Sequence, residues 1–134
     1  MILLAAIEER GGMLFAKRRV SQDKALRERM LHLAGEKPLR MHPFSAGQFR
    51  ENADRILSSE DFLEKAGEGD FCFLENCSAA VFTDKIEKLI LYRWNRRYPA
   101  DFFFDLPFTQ WKLTETAEFS GNSHEKITEE VYIP

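Results

Sequence analysis

Three cations in a row, Lys17, Arg18 and Arg19, interrupt an otherwise apolar stretch, "MLFAKRRV". Such a run could hold an anionic ligand or simply solvate a loop. Further on, "GDFCFLE" (69–75) reads as a buried strand and "CSAAVFTDKI" as a short helix, so Glu75 and Asn76 stand at the corner between them. A helix N-terminus there has free amides for an anion. Glu75 would repel it, and Asn76 suits an N-cap. Ser45 opens "SAGQF", a Ser-x-x-Gln capping box, with His42 and Pro43 just before it. His42 could touch a phosphate when half charged, or serve as a turn residue. Arg93, Arg96 and Arg97 interleave with Trp94 and Tyr98. That pattern could contact phosphates and stack bases, or form the polar edge of a strand and its exit loop.

Metal chemistry has no support. His32, His42 and His124 are far apart, and Cys72 and Cys77 are spaced C-x₄-C with no neighbouring ligand. Both cysteines sit among Phe residues, which predicts free, buried thiols and a reducing, cytoplasmic setting.

The elements that must position these groups belong to one domain, residues 1–134. The composition is 44% hydrophobic and 31% charged, ordinary for a globular chain. A net charge of −3 gives no global bias toward nucleic acid. No apolar run is long enough for a membrane span, and "MILLAAIEER" reads as a first strand and not as a leader.

"ILLAAI" (2–7) is a continuous apolar run, a strand covered on both faces. Gly11 and Gly12 follow in a turn. Leu26, Met30 and Leu33 recur at helical spacing before Gly35, with Ser21 as the expected cap and Asp23 in the first turn. "PLRM" and "DRIL" (54–57) read as short strands, Ser45 as the start of a helix, and "EDFLEKAG" as a helix capped by Ser58 and Asp61. "KLILYRW" (88–94) is another strand. "WKLTETAEF" (111–119) and "EKITEEVYI" (125–133), separated by "SGNSH", read as an antiparallel hairpin.

Several of these stretches resemble the dihydrofolate reductase family in their order. "MILLAAIEERGG" is similar to its first strand and turn, and "GEKPLRM" to the approach to its second strand. "LILYRWNRRYPADFFFDLP", then "WKLTETAEF", resembles its strand, acidic turn and Trp-Lys-Leu strand, and "HEKITEEVYI" its last strand. The resemblance covers most of the chain. It implies an α/β fold, a three-layer sandwich with a mixed, mostly parallel sheet, a C-terminal antiparallel hairpin and helices on both faces. The chain is shorter than typical members, with the shortfall between residues 50 and 58.

The family's chemistry is reduction of dihydrofolate or a related pterin by NADPH. Its strand ends in two glycines so that the cofactor can lie on the backbone; the matching positions here are Glu75 and Asn76. Its second strand leads into Gly-Arg-x-Thr or Ser, where Arg grips a phosphate; here stand His42, Pro43 and Ser45. Proline brings neither charge nor amide donor. Asp23 is the positional match for the family's proton source, or else a surface residue suited to the helix dipole. Tyr92 replaces a threonine that orients the acid, Asp101 matches an aspartate of structural role, and Arg50 is the nearest counterpart of the substrate-clamping arginine.

The expected function is therefore a reductase-like protein with a degenerate nucleotide site, non-catalytic or repurposed to bind another small ligand in the cleft. No cofactor is expected, and NADPH only if the family activity is retained. An active divergent NADPH-dependent reductase is the first alternative. A nucleic-acid-binding or RNA-processing protein is the second, disfavoured by the acidic balance. No feature of the sequence points to an oligomeric state.

Overall fold

A computed structural model describes all 134 residues. The chain forms ten strands: β1 (Ile2–Ile7), β2 (Gly12–Phe15), β3 (Arg18–Arg19), β4 (Leu39–Met41), β5 (Ile56–Ser58), β6 (Phe71–Leu74), β7 (Lys88–Arg93), β8 (Phe102–Phe103), β9 (Lys112–Phe119) and β10 (Ile127–Ile133). Its α-helices are α1 (Lys24–Ala34), α2 (Pro43–Ala46) and α3 (Phe62–Lys65). Seven strands make the main sheet, ordered β5-β4-β6-β1-β7-β10-β9, and β3-β2-β8 make a small second sheet. β5, β4, β6, β1 and β7 run parallel, and β10 is antiparallel to both β7 and β9. This is the mixed sheet with a terminal hairpin that the sequence predicts.

The two-residue period of the strands sorts their side chains onto two faces. Leu3, Ala5, Ile7, Cys72, Leu74, Leu89 and Leu91 share one core with Phe62 and Leu63 of α3. Leu4, Phe73, Ile90 and Tyr92 share the other with Leu26, Met30 and Leu31 of α1. Strands buried on both faces need near-continuous apolar runs, which is why "ILLAAI" and "FCFL" are legible as they stand. Cys72 and Cys77 are free thiols. Burial pushes the Cys72 thiol up to about 12. No helix is long and apolar enough to cross a membrane.

Several local details differ from expectation. The 79–86 region is a 3₁₀ turn, Ala80–Lys85, preceded by Ala79 with no side-chain cap, so Asn76 is not an N-cap. α2 begins at Pro43 with His42 as its cap, two residues ahead of Ser45. Asp23, and not Ser21, caps α1. Arg50–Arg55 form a 3₁₀ turn leading straight into β5.

The parallel register brings the carboxyl ends of the central strands to one edge. Ala5 lies beside Leu74, Met41 beside Phe73, and Ile7 beside Arg93. The residues that follow, Glu8, His42, Glu75 and Trp94, are thereby gathered at that edge. It is also where the chain reverses its winding about β1, the usual place for a ligand crevice in an open α/β sheet.

Candidate functional site

Glu75 directly follows β6 and is 7% exposed. Its carboxylate receives both arms of the Arg19 guanidinium, Nε to Oε2 at 3.2 Å and Nη2 to Oε1 at 3.2 Å. Arg19 Nη2 also donates to the Phe44 carbonyl at 3.0 Å, and the guanidinium lies 4.7 Å over the Phe44 ring. One planar side chain thus spans the ends of β4 and β6. A two-residue hairpin delivers it: Phe15 pairs Arg18 and Leu14 pairs Arg19, with Ala16 (φ 49°) and Lys17 (φ 65°) at the tip. Both tip residues are in the left-handed region that such turns demand and that Asn-Gly would normally supply. Asp101 helps to hold the tip by accepting from Ala16 N at 3.1 Å.

Beside this ion pair, His42 Nδ1 accepts from Phe44 N at 3.0 Å and meets Asn76 Nδ2 at 3.3 Å. Pro43 occupies the first helical position and has no amide to offer. Ser45 is fully buried, and its Oγ has no partner in the chain; Asn76 Oδ1 is likewise unpaired. His42, Ser45, Glu75 and Asn76 all lie at or beside the ends of β4 and β6.

Asp23 is elsewhere, at the start of α1, and is buried. Its Oδ1 accepts from Ala25 N and Asn122 N at 2.9 Å each. Its Oδ2 accepts from Ser123 N at 2.8 Å and Ser123 Oγ at 3.0 Å, and from His124 Nδ1 at 3.0 Å. Burial alone would raise its pKa, but the hydrogen bonds from Asn122, His124, Ser123 and Ala25 outweigh that and hold it far below the usual carboxylate range. Gly121 makes the approach possible, because a Cβ there would lie 2.5 Å from Asp23 Oδ2.

His124 carries the network onward. Its Nε2 lies 3.0 Å from Ser21 Oγ and 3.0 Å from Tyr98 OH. The ring stacks on Trp94, centroids 4.5 Å apart. Trp94 is buried, which removes it from the expected base-stacking stretch, and Arg93 is half-buried and paired with Glu130 at 2.6 Å. Arg96 and Arg97 remain exposed.

Tyr92 also faces inward. It donates to Glu129 Oε2 at 2.9 Å, and Arg29 grips the same carboxylate through two 2.9 Å bonds. Burial opposes ionisation of Glu129, yet the Arg29 and Tyr92 hydrogen bonds lower its pKa overall. Arg50 lines a separate cavity of about 420 Å³ between α1 and residues 47–52, whose walls include Lys24, Arg27, Glu28 and Glu51 and no apolar side chain. A second cavity, about 440 Å³, is walled by Phe15, Arg18, Arg19, Val20, Tyr98 and Pro99. No cluster of three or more His, Cys, Asp or Glu is placed to hold a metal ion.

His124, Glu129 and Glu8 escape a reading of the sequence. Glu8 accepts from Gly12 N at 2.8 Å and pins the turn after β1. For His124, the only local signal is a Gly-Asn-Ser-His loop joining two strands, which says nothing about which helix it will meet.

No protein-family model and no curated protein matches this sequence. Among solved structures, a dihydrofolate reductase from Enterococcus faecalis, complexed with NADP(H) and RAB-propyl, is similar with a TM-score of 0.66 over 99% of this chain and 95% of that one. The fold is that of a dihydrofolate reductase. Sequence identity is 13%, so the likeness is one of fold alone. At the edge where a reductase-like sheet gathers its strand ends, this chain has an acidic corner, a proline and a seated arginine. A diphosphate wants free amides, cations and a bare backbone. Glu75 brings a negative charge to that edge, Pro43 has no amide to donate, and Arg19 is already paired with Glu75.

Proposed function

We propose that the protein is a reductase-like fold that no longer uses a dinucleotide in the manner of dihydrofolate reductases and instead binds another small ligand. The observation that carries this reading is the Arg19–Glu75 fork, which puts a buried carboxylate and a guanidinium where a flat cofactor would need open backbone. The cavity beside the hairpin is the natural ligand site. Its walls combine Phe15, Val20, Tyr98 and Pro99 with Arg18, which makes no ion pair. A ligand with an apolar body and one acidic group matches that lining.

A thermal-shift titration with NADPH, run beside an absorbance assay for its oxidation with dihydrofolate, tests the reading. A ligand at 100 times its Kd adds about 2.7 kcal/mol of stability, so even moderate binding registers. The expected result is no shift and no oxidation; either signal would overturn the reading.

The second reading, an active divergent NADPH-dependent reductase, rests on one specific feature. Ser45 Oγ is fully buried beside the strand ends and unpaired. A buried hydroxyl without a partner is costly, and a bound group would satisfy it. On this reading Arg19 swings off Glu75 when NADPH arrives, and oxidation of NADPH appears with a pterin or small carbonyl.

A further inference from the structure

The cluster around His124 has the parts of a nucleophilic site, and the ligand-binding role proposed above does not use them. We propose that Ser21, His124 and Asp23 form an acyl-transfer site that hydrolyses small carboxylic esters presented from the cavity walled by Phe15, Arg18, Val20 and Tyr98. This goes beyond the nucleotide question and stands whether or not NADPH binds.

The argument begins with the carboxylate. Asp23, fed by five donors, can only accept, so the 3.0 Å contact places the hydrogen on His124 Nδ1. The lone pair is then on Nε2, and Ser21 Oγ lies 3.0 Å from it. Trp94 stacked on the ring and the loop closed at Gly121 hold the imidazole in that orientation. A nucleophile against a base, with the base oriented by a third group, is the arrangement that activates a hydroxyl. Ser21 is only half-buried, and it directly follows Val20 of the cavity wall. The amides of Ser21 and Gln22 make no hydrogen bond within the chain and are free to meet a carbonyl oxygen as it gains charge. The cavity adjoins this cluster through Val20, which precedes Ser21, and through Tyr98, whose hydroxyl shares His124 Nε2 at 3.0 Å. The apolar wall suits the acyl body, and Arg18 suits an acidic substituent.

In the reaction, Ser21 Oγ bonds to the ester carbonyl carbon as its proton passes to His124 Nε2. The carbon–alkoxy bond then breaks, and the leaving oxygen takes that proton and departs as an alcohol. Water repeats the sequence on the acyl-serine: one proton goes to Nε2 and on to Ser21 Oγ, and the carboxylic acid leaves. No oxidant, reductant or further reactant enters.

The test uses the full chain with p-nitrophenyl butyrate and with a fluorophosphonate probe, each modified site being located by tandem mass spectrometry. The expected result is a probe adduct on Ser21 and release of nitrophenolate that falls by about a hundredfold or more in Ser21→Ala. The proposal is overturned if folded wild-type protein takes no adduct at Ser21, if the adduct sits on Tyr98 or a lysine, or if folded Ser21→Ala hydrolyses the ester at the wild-type rate. The wild-type labelling needs no variant and decides the matter even if Ser21→Ala fails to fold.

Discussion

Two polar clusters stand near the same edge of the sheet and are made differently. Across the ends of β4 and β6, a single hairpin side chain, Arg19, reaches over to Glu75, leaving Ser45 Oγ and Asn76 Oδ1 without partners. At the start of α1, Asp23 gathers five donors from its own helix and from residues 122–124, and those residues are anchored by Trp94, Tyr98 and Ser21. The first cluster is a cover held by one removable side chain. The second ties helix, hairpin loop and strand exit into one unit. Buried polar groups that are fully satisfied rigidify a fold, while partly satisfied ones mark places where it can change or bind.

The widest gap between the clusters should appear on deleting their carboxylate or its partner. Asp23→Ala removes a helix cap and strands a buried imidazole and three partly buried amides, and should cost about 3–5 kcal/mol in urea unfolding. Arg19→Ala leaves Glu75 unpaired but beside solvent that enters with the missing side chain, and should cost only about 1–3 kcal/mol. Equal losses at the two sites would erase the distinction drawn here.

Acid probes the second cluster. The folded pKa of Asp23 lies below its ordinary value of 3.8, so its contribution is complete above that pH and drains away as pH falls toward the folded value. Urea midpoints for the wild type should therefore drop below about pH 4, and the drop should be smaller in Asp23→Asn, which has no charge to lose there. A wild-type midpoint flat down to pH 2 would contradict the assignment.

The smallest effect belongs to the hairpin that carries Arg19. Lys17 holds φ 65° without being glycine. Lys17→Gly should gain up to about 1 kcal/mol by relieving that strain, offset in part by added freedom of the unfolded chain. A loss of stability would mean that the lysine side chain matters more than its backbone.

β1, β6 and β7 are continuous apolar runs and the β9–β10 stretches are alternating or β-rich around a turn, so these elements were readable from side-chain pattern. Caps were harder. Ser21 looks like the cap of α1, but its hydroxyl bonds to His124, 103 positions away, and Asp23 takes the local role. Ser45 and Asn76 misled for a similar reason: both were read as caps from neighbouring residues, while His42 caps α2 and the turn after β6 begins three residues later than a cap at Asn76 would require. The β2–β3 hairpin gave no warning because Ala16-Lys17 is not turn chemistry. The Glu75–Asn76 corner was visible as an anomaly, whereas its partner Arg19, in a basic run that reads equally as solvated loop, was not.

Isothermal titration of the wild-type protein with NADPH tests the central claim most directly. With Arg19 seated on Glu75 and Pro43 at the head of α2, no heat of binding is predicted up to millimolar nucleotide. A saturable isotherm with a micromolar Kd would contradict the account.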